Sequence, residues 1–162
     1  MGDPGLGPEV RFKVLREHWS SYEILDGSAT VWAKHVLLKV FEPSTLPPTD
    51  PGTLGLRSLI VNAQLVVTAF FDVTMRKKPD PTVYAAESLQ TGGERLNFQP
   101  IDEPFSEYLL QGQKPTVLGV KTVVSRVRLF RDKPNSFGDP VVMVDAGFIA
   151  SPPREAQPNE LL

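Results

Sequence analysis

The sharpest chemical signal in this sequence is a set of basic residues on and beside apolar segments. In "KTVVSRVRLFRDK", residues 121–133, Arg126 and Arg128 are two positions apart and would share one face of a strand. Basic side chains along a strand, with an aromatic ring such as Phe130 beside them, can follow a phosphate backbone. The candidate nucleic-acid-binding residues are Arg126, Arg128, Lys121, Arg131, Lys133, Arg76, Lys77 and Lys78.

The alternative for these cations is an ordinary solvated face, which also discourages pairing between sheet edges. The chain has 19 acidic and 17 basic residues, and its net charge of −2 gives no general attraction to nucleic acid. The sequence lacks an RGFGFV-type motif of RNA-recognition domains. Nucleic acid therefore ranks second among the expected partners.

The residues that most enzymes need are sparse. The chain has no cysteine, which excludes disulfides, thiolate catalysis and cysteine-ligated metals. His18 and His35 lie in no HxH or HExxH pattern, so we expect surface or structural roles. Asp102, Glu103 and Glu107 form the only close carboxylate group, and they are better suited to a helix amino end than to acid–base catalysis. We predict no catalytic residues, no cofactor and no metal, and the balance is against an enzyme.

Proline-free windows rich in β-forming residues define the elements that would carry these side chains. Proline is excluded from central strands, and the chain contains 16 prolines. Asp26-Gly27 predicts a tight hairpin turn, and a short helix is predicted near 81–90. Residues 9–19 fit a strand or a helix, with the strand favoured, and residues 102–112 could form a helical turn. The predicted strands lie in the windows 9–42, 52–78, 116–133 and 141–151.

The most regular segment is residues 59–73, in which every odd position is apolar. Val61, Leu65, Val67 and Phe71 are therefore predicted to be deeply buried. A strand of this length would bend between two sheets or project as a ribbon, since most strands have about five or six residues. Its second half is apolar on both faces, which predicts cover by the rest of the chain or by a second subunit.

Two stretches of the chain resemble each other. "WSSYEILDGSATVWAKHVLLKVF" begins at Trp19, and "FSEYLLQGQKPTVLGVKTVVSRVRLF" begins at Phe105. Both contain aromatic-Ser-x-Tyr, then Leu-x-Gly, Thr-Val and basic residues in corresponding places. A duplication explains this, and so does the narrow choice of residues in any two Val-rich hairpins. The matched positions are Lys34 with Lys121, Lys39 with Arg126, and 61–63 with 144–146.

These patterns predict an all-β domain with one short helix. The architecture would be an antiparallel sandwich or two small barrel-like β-units, with a possible internal duplication. The expected segments are a flexible segment at 1–8, a β domain at 9–150 with possible repeat units 9–75 and 103–150 joined by 76–102, and a flexible Pro-rich tail at 151–162.

Long apolar strands and poor catalytic equipment predict a non-enzymatic interaction or assembly protein. It would self-associate as a homo-oligomer, or scaffold a complex, through its strand surfaces. A nucleic-acid-binding β-barrel is the second expectation, and a small-ligand-binding barrel or hydrolase is the third. The lack of cysteine and of a secretory pattern in residues 1–10 predicts a cytoplasmic location, and no apolar run is long enough to span a bilayer.

Overall fold

The computed structural model describes residues 7–42, 59–112 and 114–161, and it confirms the predicted all-β class. One short α-helix, α1 (Ala86–Gln90), lies within these residues, and their strands form two antiparallel sheets. The first sheet contains β1 (Glu9–Val10), β3 (Ser20–Ile24), β4 (Ala29–Phe41), β5 (Ile60–Phe71) and β7 (Phe98–Asp102). The second contains β2 (Phe12–Arg16), β6 (Glu94–Leu96), β8 (Ser106–Leu110), β9 (Thr116–Pro134), β10 (Pro140–Ala150) and β11 (Arg154–Glu155). No helix in the described ranges has the length and apolar character needed to cross a membrane.

Several local predictions can be compared directly with these elements. The strand favoured over residues 9–19 is confirmed by β1 and β2. The possible helical turn over 102–112 is wrong, because Tyr108 and Leu110 alternate into the core as part of β8. The predicted helix is present but begins late, since the Asp80 carboxylate accepts a 2.9 Å hydrogen bond from the amide of Thr82 and closes a separate turn.

The turn at Asp26-Gly27 joins β3 to β4, as expected. The loop between the two strands has four residues, 25–28, and not two. The amide of Gly27 donates to the carbonyl of Ile24 at 2.9 Å, so Leu25 and Asp26 are the central residues. Gly27 follows them with a φ of 78°, a left-handed conformation that suits glycine. The Asp26 carboxylate accepts from the amide of Ser28 and stabilises the return of the chain.

The long predicted strand exists as β5, but its apolar face is not deeply buried. Val61, Leu65, Val67 and Phe71 pack against the cores while remaining partly exposed, so the predicted deep burial is wrong. The partial exposure follows from the position of β5 in its sheet. Within the described residues, β4 is the only strand paired with β5, which places β5 at the edge of its sheet. The strand ends where Asp72 caps a 3₁₀ turn at Val73–Met75.

The pairing of the first half of the chain recurs in the second half. β4 pairs with β3, β1 and β5, and in the same way β9 pairs with β8, β6 and β10. β2 pairs with β8, and its counterpart β7 pairs with β3, so each half lends one strand to the other. A register shift falls between Leu37 and Lys39 in β4 and at the matching place, between Val124 and Arg126, in β9.

This agreement in pairing, register and irregularities supports a duplication more strongly than similar composition does. The matches of Lys34 with Lys121 and of Lys39 with Arg126 agree with the strand registers. The Thr-Val match is offset by one, because the registers align Val31 with Leu118. The predicted linker, 76–102, contains β6 and β7, which pair as the counterparts of β1 and β2.

Both hydrophobic cores take residues from both halves. The first core joins Tyr22, Ile24, Ala29, Val31 and Ala33 to Leu96, Val124, Val127 and Leu129. The second joins Val10, Leu37 and Val40 to Tyr108, Leu110, Leu118 and Val120. The registers make most of these residues counterparts of one another, so the two cores repeat the same packing and neither half completes one alone.

Residues 151–161 are attached to the second sheet, contrary to the expectation of a tail uncoupled from the core. The amide of Ser151 donates to the carbonyl of Gly119 at 2.8 Å, and β11 pairs with β9. Arg154 lies 3.0 Å from Glu107 and 2.7 Å from Glu160. The prolines interrupt the pairing but do not end it. The segment predicted to be flexible at 1–8 lies almost wholly outside the described residues.

Candidate functional site

Arg126 and Arg128 do share the outer face of β9, but their guanidinium groups are engaged within the chain. Arg126 forms a 2.5 Å ion pair with Asp145 on β10. Arg128 is only 8% exposed and donates to the carbonyls of Leu89 and Gly92, at 2.9 and 3.1 Å. It therefore holds the end of α1 and the residues after it against the sheet, where a cation suits the carbonyl end of a helix.

The other predicted basic residues fall into separate places along β9 and at its far end. Lys121 lies over the ring of Phe105, roughly 33 Å of strand away from Arg131 at about 3.3 Å per residue. Arg131 forms an ion pair with Glu94 at 2.6 Å, and hydrogen bonding to this carboxylate raises the arginine pKa. The remaining four basic residues lie near it. Lys133 lies beside Asp132 and Phe130, and Arg76 is paired with Asp139. Lys77 donates to the Arg131 carbonyl, and Lys78 is exposed.

The predicted acid–base candidates do not converge. His18 is exposed, whereas His35 is buried, and burial lowers its pKa. The His35 amide and ring nitrogen Nδ1 lie 2.8 and 2.9 Å from Thr122 Oγ1, where β4 crosses β9. Glu107 pairs with two arginines, while Glu103 accepts from a tyrosine hydroxyl. No group of three or more metal-ligating side chains occurs within residues 7–42, 59–112 and 114–161.

Two buried tyrosines, which the sequence reasoning missed, join the halves reciprocally. Tyr22 donates to Glu103 at 2.5 Å and accepts from the amide of Val124 at 3.0 Å. Tyr108 donates to Glu17 at 3.3 Å. The pKa of both tyrosines is raised to about 12. Burial is the largest cause, and the nearby carboxylate is the next largest for each. The sequence did contain a signal for this pair of tyrosines. In each half a glutamate precedes the tyrosine by five residues, Glu17 before Tyr22 and Glu103 before Tyr108.

β5 presents a free edge with little protection against pairing. β5 has 12 residues, "IVNAQLVVTAFF", with no charged residue and no proline. Sheet edges are normally guarded by charges, prolines or bulges, because their unpaired N–H and C=O groups attract other strands. On the outer face beside this edge, Phe70 is 62% exposed and its ring meets Trp32 edge-to-face at 6.2 Å.

The corresponding edge, on β10, is guarded. Asn62 of β5 lies opposite Lys39 of β4, and in the same way Asp145 of β10 lies opposite Arg126 of β9. The neutral amide on one edge therefore corresponds to a carboxylate on the other. The same registers match Gln64 with Gly147. β10 also begins with a proline, Pro140. Two edges in equivalent positions of one molecule therefore differ in their protection against pairing.

No family model, curated protein or solved structure matches this chain. The chemistry of the described side chains is therefore the basis on which a function can be assigned. The sequence reasoning noticed β5 through its apolar alternation but expected both faces of its second half to be covered. The edge position left no local signal, because an uncharged apolar segment is equally typical of a central strand.

Proposed function

We propose that this protein is a non-enzymatic assembly protein that self-associates through the free edge of β5. The observation that carries the proposal is a 12-residue edge without charge or proline, paired only with β4 within the described chain. An added strand would satisfy the unpaired backbone groups, and adjacent side chains would add apolar contact. The exposed Phe70 and Ile60 lie on the face where that contact would form.

The contrast with β10 supports the choice of edge. Both strands flank a long central strand in the same register, yet only β10 carries a charge and a proline. An edge with these devices resists pairing. Their absence from β5 over its whole length fits a strand that has a partner to accept.

Nucleic-acid binding stays a lower-ranked prediction. Arg126 and Arg131 are already in ion pairs, and Arg128 is buried, so phosphate would have to displace existing contacts. A cysteine-free chain depends on no disulfide, which fits the cytoplasm as the proposed location.

The test is the solution mass of the protein by light scattering over a range of concentrations. We expect the parent to exceed the monomer mass and Gln64→Lys to return it to the monomer, because a lysine blocks an edge. The matched control is Gly147→Lys, at the corresponding position of β10, where an added side chain meets open space and the glycine has no left-handed φ. This control should keep the parent mass.

Thermal melting of dilute samples checks that both variants fold. A parent that stays monomeric throughout the range contradicts the proposal. So does equal loss of mass in the two lysine variants, which would show that charge in general, and not the β5 edge, controls association.

A further inference from the structure

We infer that β5 pairs antiparallel with β5 of a second copy, about a two-fold axis that passes through Leu65. This inference rests on the proposed self-association and adds the partner strand and its register. The two sheets would then join into one continuous sheet across the interface, and the assembly would be a closed dimer.

The alternation of β5 restricts the registers that are possible. Its odd-numbered residues face the cores and its even-numbered residues face outward. Two copies form a continuous sheet only when inward residues oppose inward residues, so the numbers of two opposed residues must add to an even total. The axis therefore passes through a residue and not between two residues. Three registers near the middle of the strand meet this condition. In them the numbers of two opposed residues add to 128, 130 or 132.

A total of 130 gives the best match of side chains. On the outer face it opposes apolar with apolar at the ends of the pairing and polar with polar next to them, with one mixed pair at the centre. On the inner face it opposes large with small residues around a central leucine pair. Cross-strand pairs of this kind are the main stabilising unit of a sheet. The outer pairs are Ile60 with Phe70, Asn62 with Thr68 and Gln64 with Val66, and the inner pairs are Val61 with Ala69, Ala63 with Val67 and Leu65 with Leu65.

The neighbouring registers are worse. A total of 132 sets Asn62 against Phe70 and Ile60 against Asp72, and it opposes the two small residues Ala63 and Ala69. A total of 128 leaves Phe70 without an opposite residue inside β5. Of these three registers, the one centred on Leu65 is the one that covers Phe70 with an apolar side chain, and Phe70 is the most exposed large apolar residue of the strand.

Electrostatics places no obstacle to this pairing. β5 carries no charge, so two copies meet without repulsion along the whole strand. The exposed Trp32 and Phe70 of one copy would receive Ile60 of the second copy, which closes an apolar cluster on the outer face. Burial of exposed aromatic residues against apolar side chains is a common source of binding energy at interfaces.

Disulfide trapping tests the register, since the chain has no cysteine of its own. Asn62→Cys, carrying a size tag, is mixed in turn with untagged Thr68→Cys, Phe70→Cys or Val66→Cys under mild oxidation. These mixtures report totals of 130, 132 and 128. We expect roughly tenfold more tagged–untagged disulfide with Thr68→Cys, because opposed Cβ atoms lie about 4.5–5.5 Å apart and diagonal ones about 7–8 Å apart. Light scattering of each variant checks that it still associates.

A second pair of the same register, Ile60→Cys with Phe70→Cys, replaces the first if Thr68→Cys loses association. Preferred trapping with Phe70→Cys or Val66→Cys against Asn62→Cys overturns the register and leaves self-association standing. A dimeric parent with no trapping in any mixture overturns β5–β5 pairing altogether. A monomeric parent overturns the proposed function and this inference together.

Discussion

Tyr22 and Tyr108 show how single residues hold the two halves together. Each hydroxyl bonds to a glutamate from the opposite half, and each ring meets a phenylalanine edge-to-face, Phe98 for Tyr22 and Phe12 for Tyr108. Both tyrosines are among the most completely buried side chains of the described residues. A charge on either hydroxyl would lie beside a carboxylate in a low-polarity environment, which makes ionisation unfavourable.

We therefore predict alkaline destabilisation that depends on these two residues. The pKa of each tyrosine is 10.0 when unperturbed and about 12 in the folded chain. Folding favours the neutral hydroxyl of each tyrosine. Its contribution to the free energy of unfolding is therefore complete below pH 10 and is lost as the pH rises through 12. The slope is about 1.4 kcal/mol per pH unit for each tyrosine. Urea unfolding from about pH 9 to about pH 12 measures it.

The double variant Tyr22→Phe with Tyr108→Phe is the control for this slope. It should be less stable at about pH 9, because the amide of Val124 loses an acceptor at a cost of about 1–3 kcal/mol. Its free energy of unfolding should then fall less steeply with pH. Parallel curves for the parent and the variant would show that other groups cause the alkaline loss.

At the scale of elements, the sequence predicted what local patterns encode. Alternation and turn residues identified the strands, the hairpin at Gly27 and the helix, and the repeated motif identified corresponding hairpins. Pairing between distant segments is not encoded locally, so the exchange of β2 and β7 and the edge position of β5 could not be predicted. The burial of Arg128 depends on a loop more than 35 positions away in the chain and was likewise invisible.

The tail provides a prediction for one element. Removing residues 151–162 should lower the melting temperature, because Val117 and Gly119 on β9 would lose the strand and side chain that cover them. Arg154→Ala alone should have a smaller effect, since nearly half of the arginine side chain is exposed to solvent, which weakens its ion pairs. Calorimetry of both variants makes the measurement. An unchanged melting temperature after truncation would mean that β11 contributes nothing to stability.

The whole molecule is one interlocked unit rather than two units side by side. Each sheet contains a strand from the opposite half, and each core needs side chains from both. The symmetric pairing resembles that of a dimer in which each subunit lends a strand to the other. In such an arrangement neither half has a complete sheet, and neither buries its apolar residues alone.

Splitting the chain between Pro79 and Asp80 tests this reading. Neither fragment should exist as a folded monomer, because each lacks the strand that the other lends. Mixing the fragments should restore a one-to-one complex with the circular dichroism spectrum of the parent. Light scattering measures the stoichiometry. A fragment that is monomeric and melts cooperatively would contradict the interlocked arrangement.

The exchange of strands also determines when this protein can fold during its synthesis. β3 is made early, yet its neighbour β7 is about 75 residues further along the chain. A nascent chain that has emerged only as far as β5 has its first hairpins, but β3 lacks its second neighbour and β2 has no partner strand. Exposed strands of this kind attract other chains and chaperones. Completion of both sheets must therefore wait for the ribosome to release nearly the whole polypeptide.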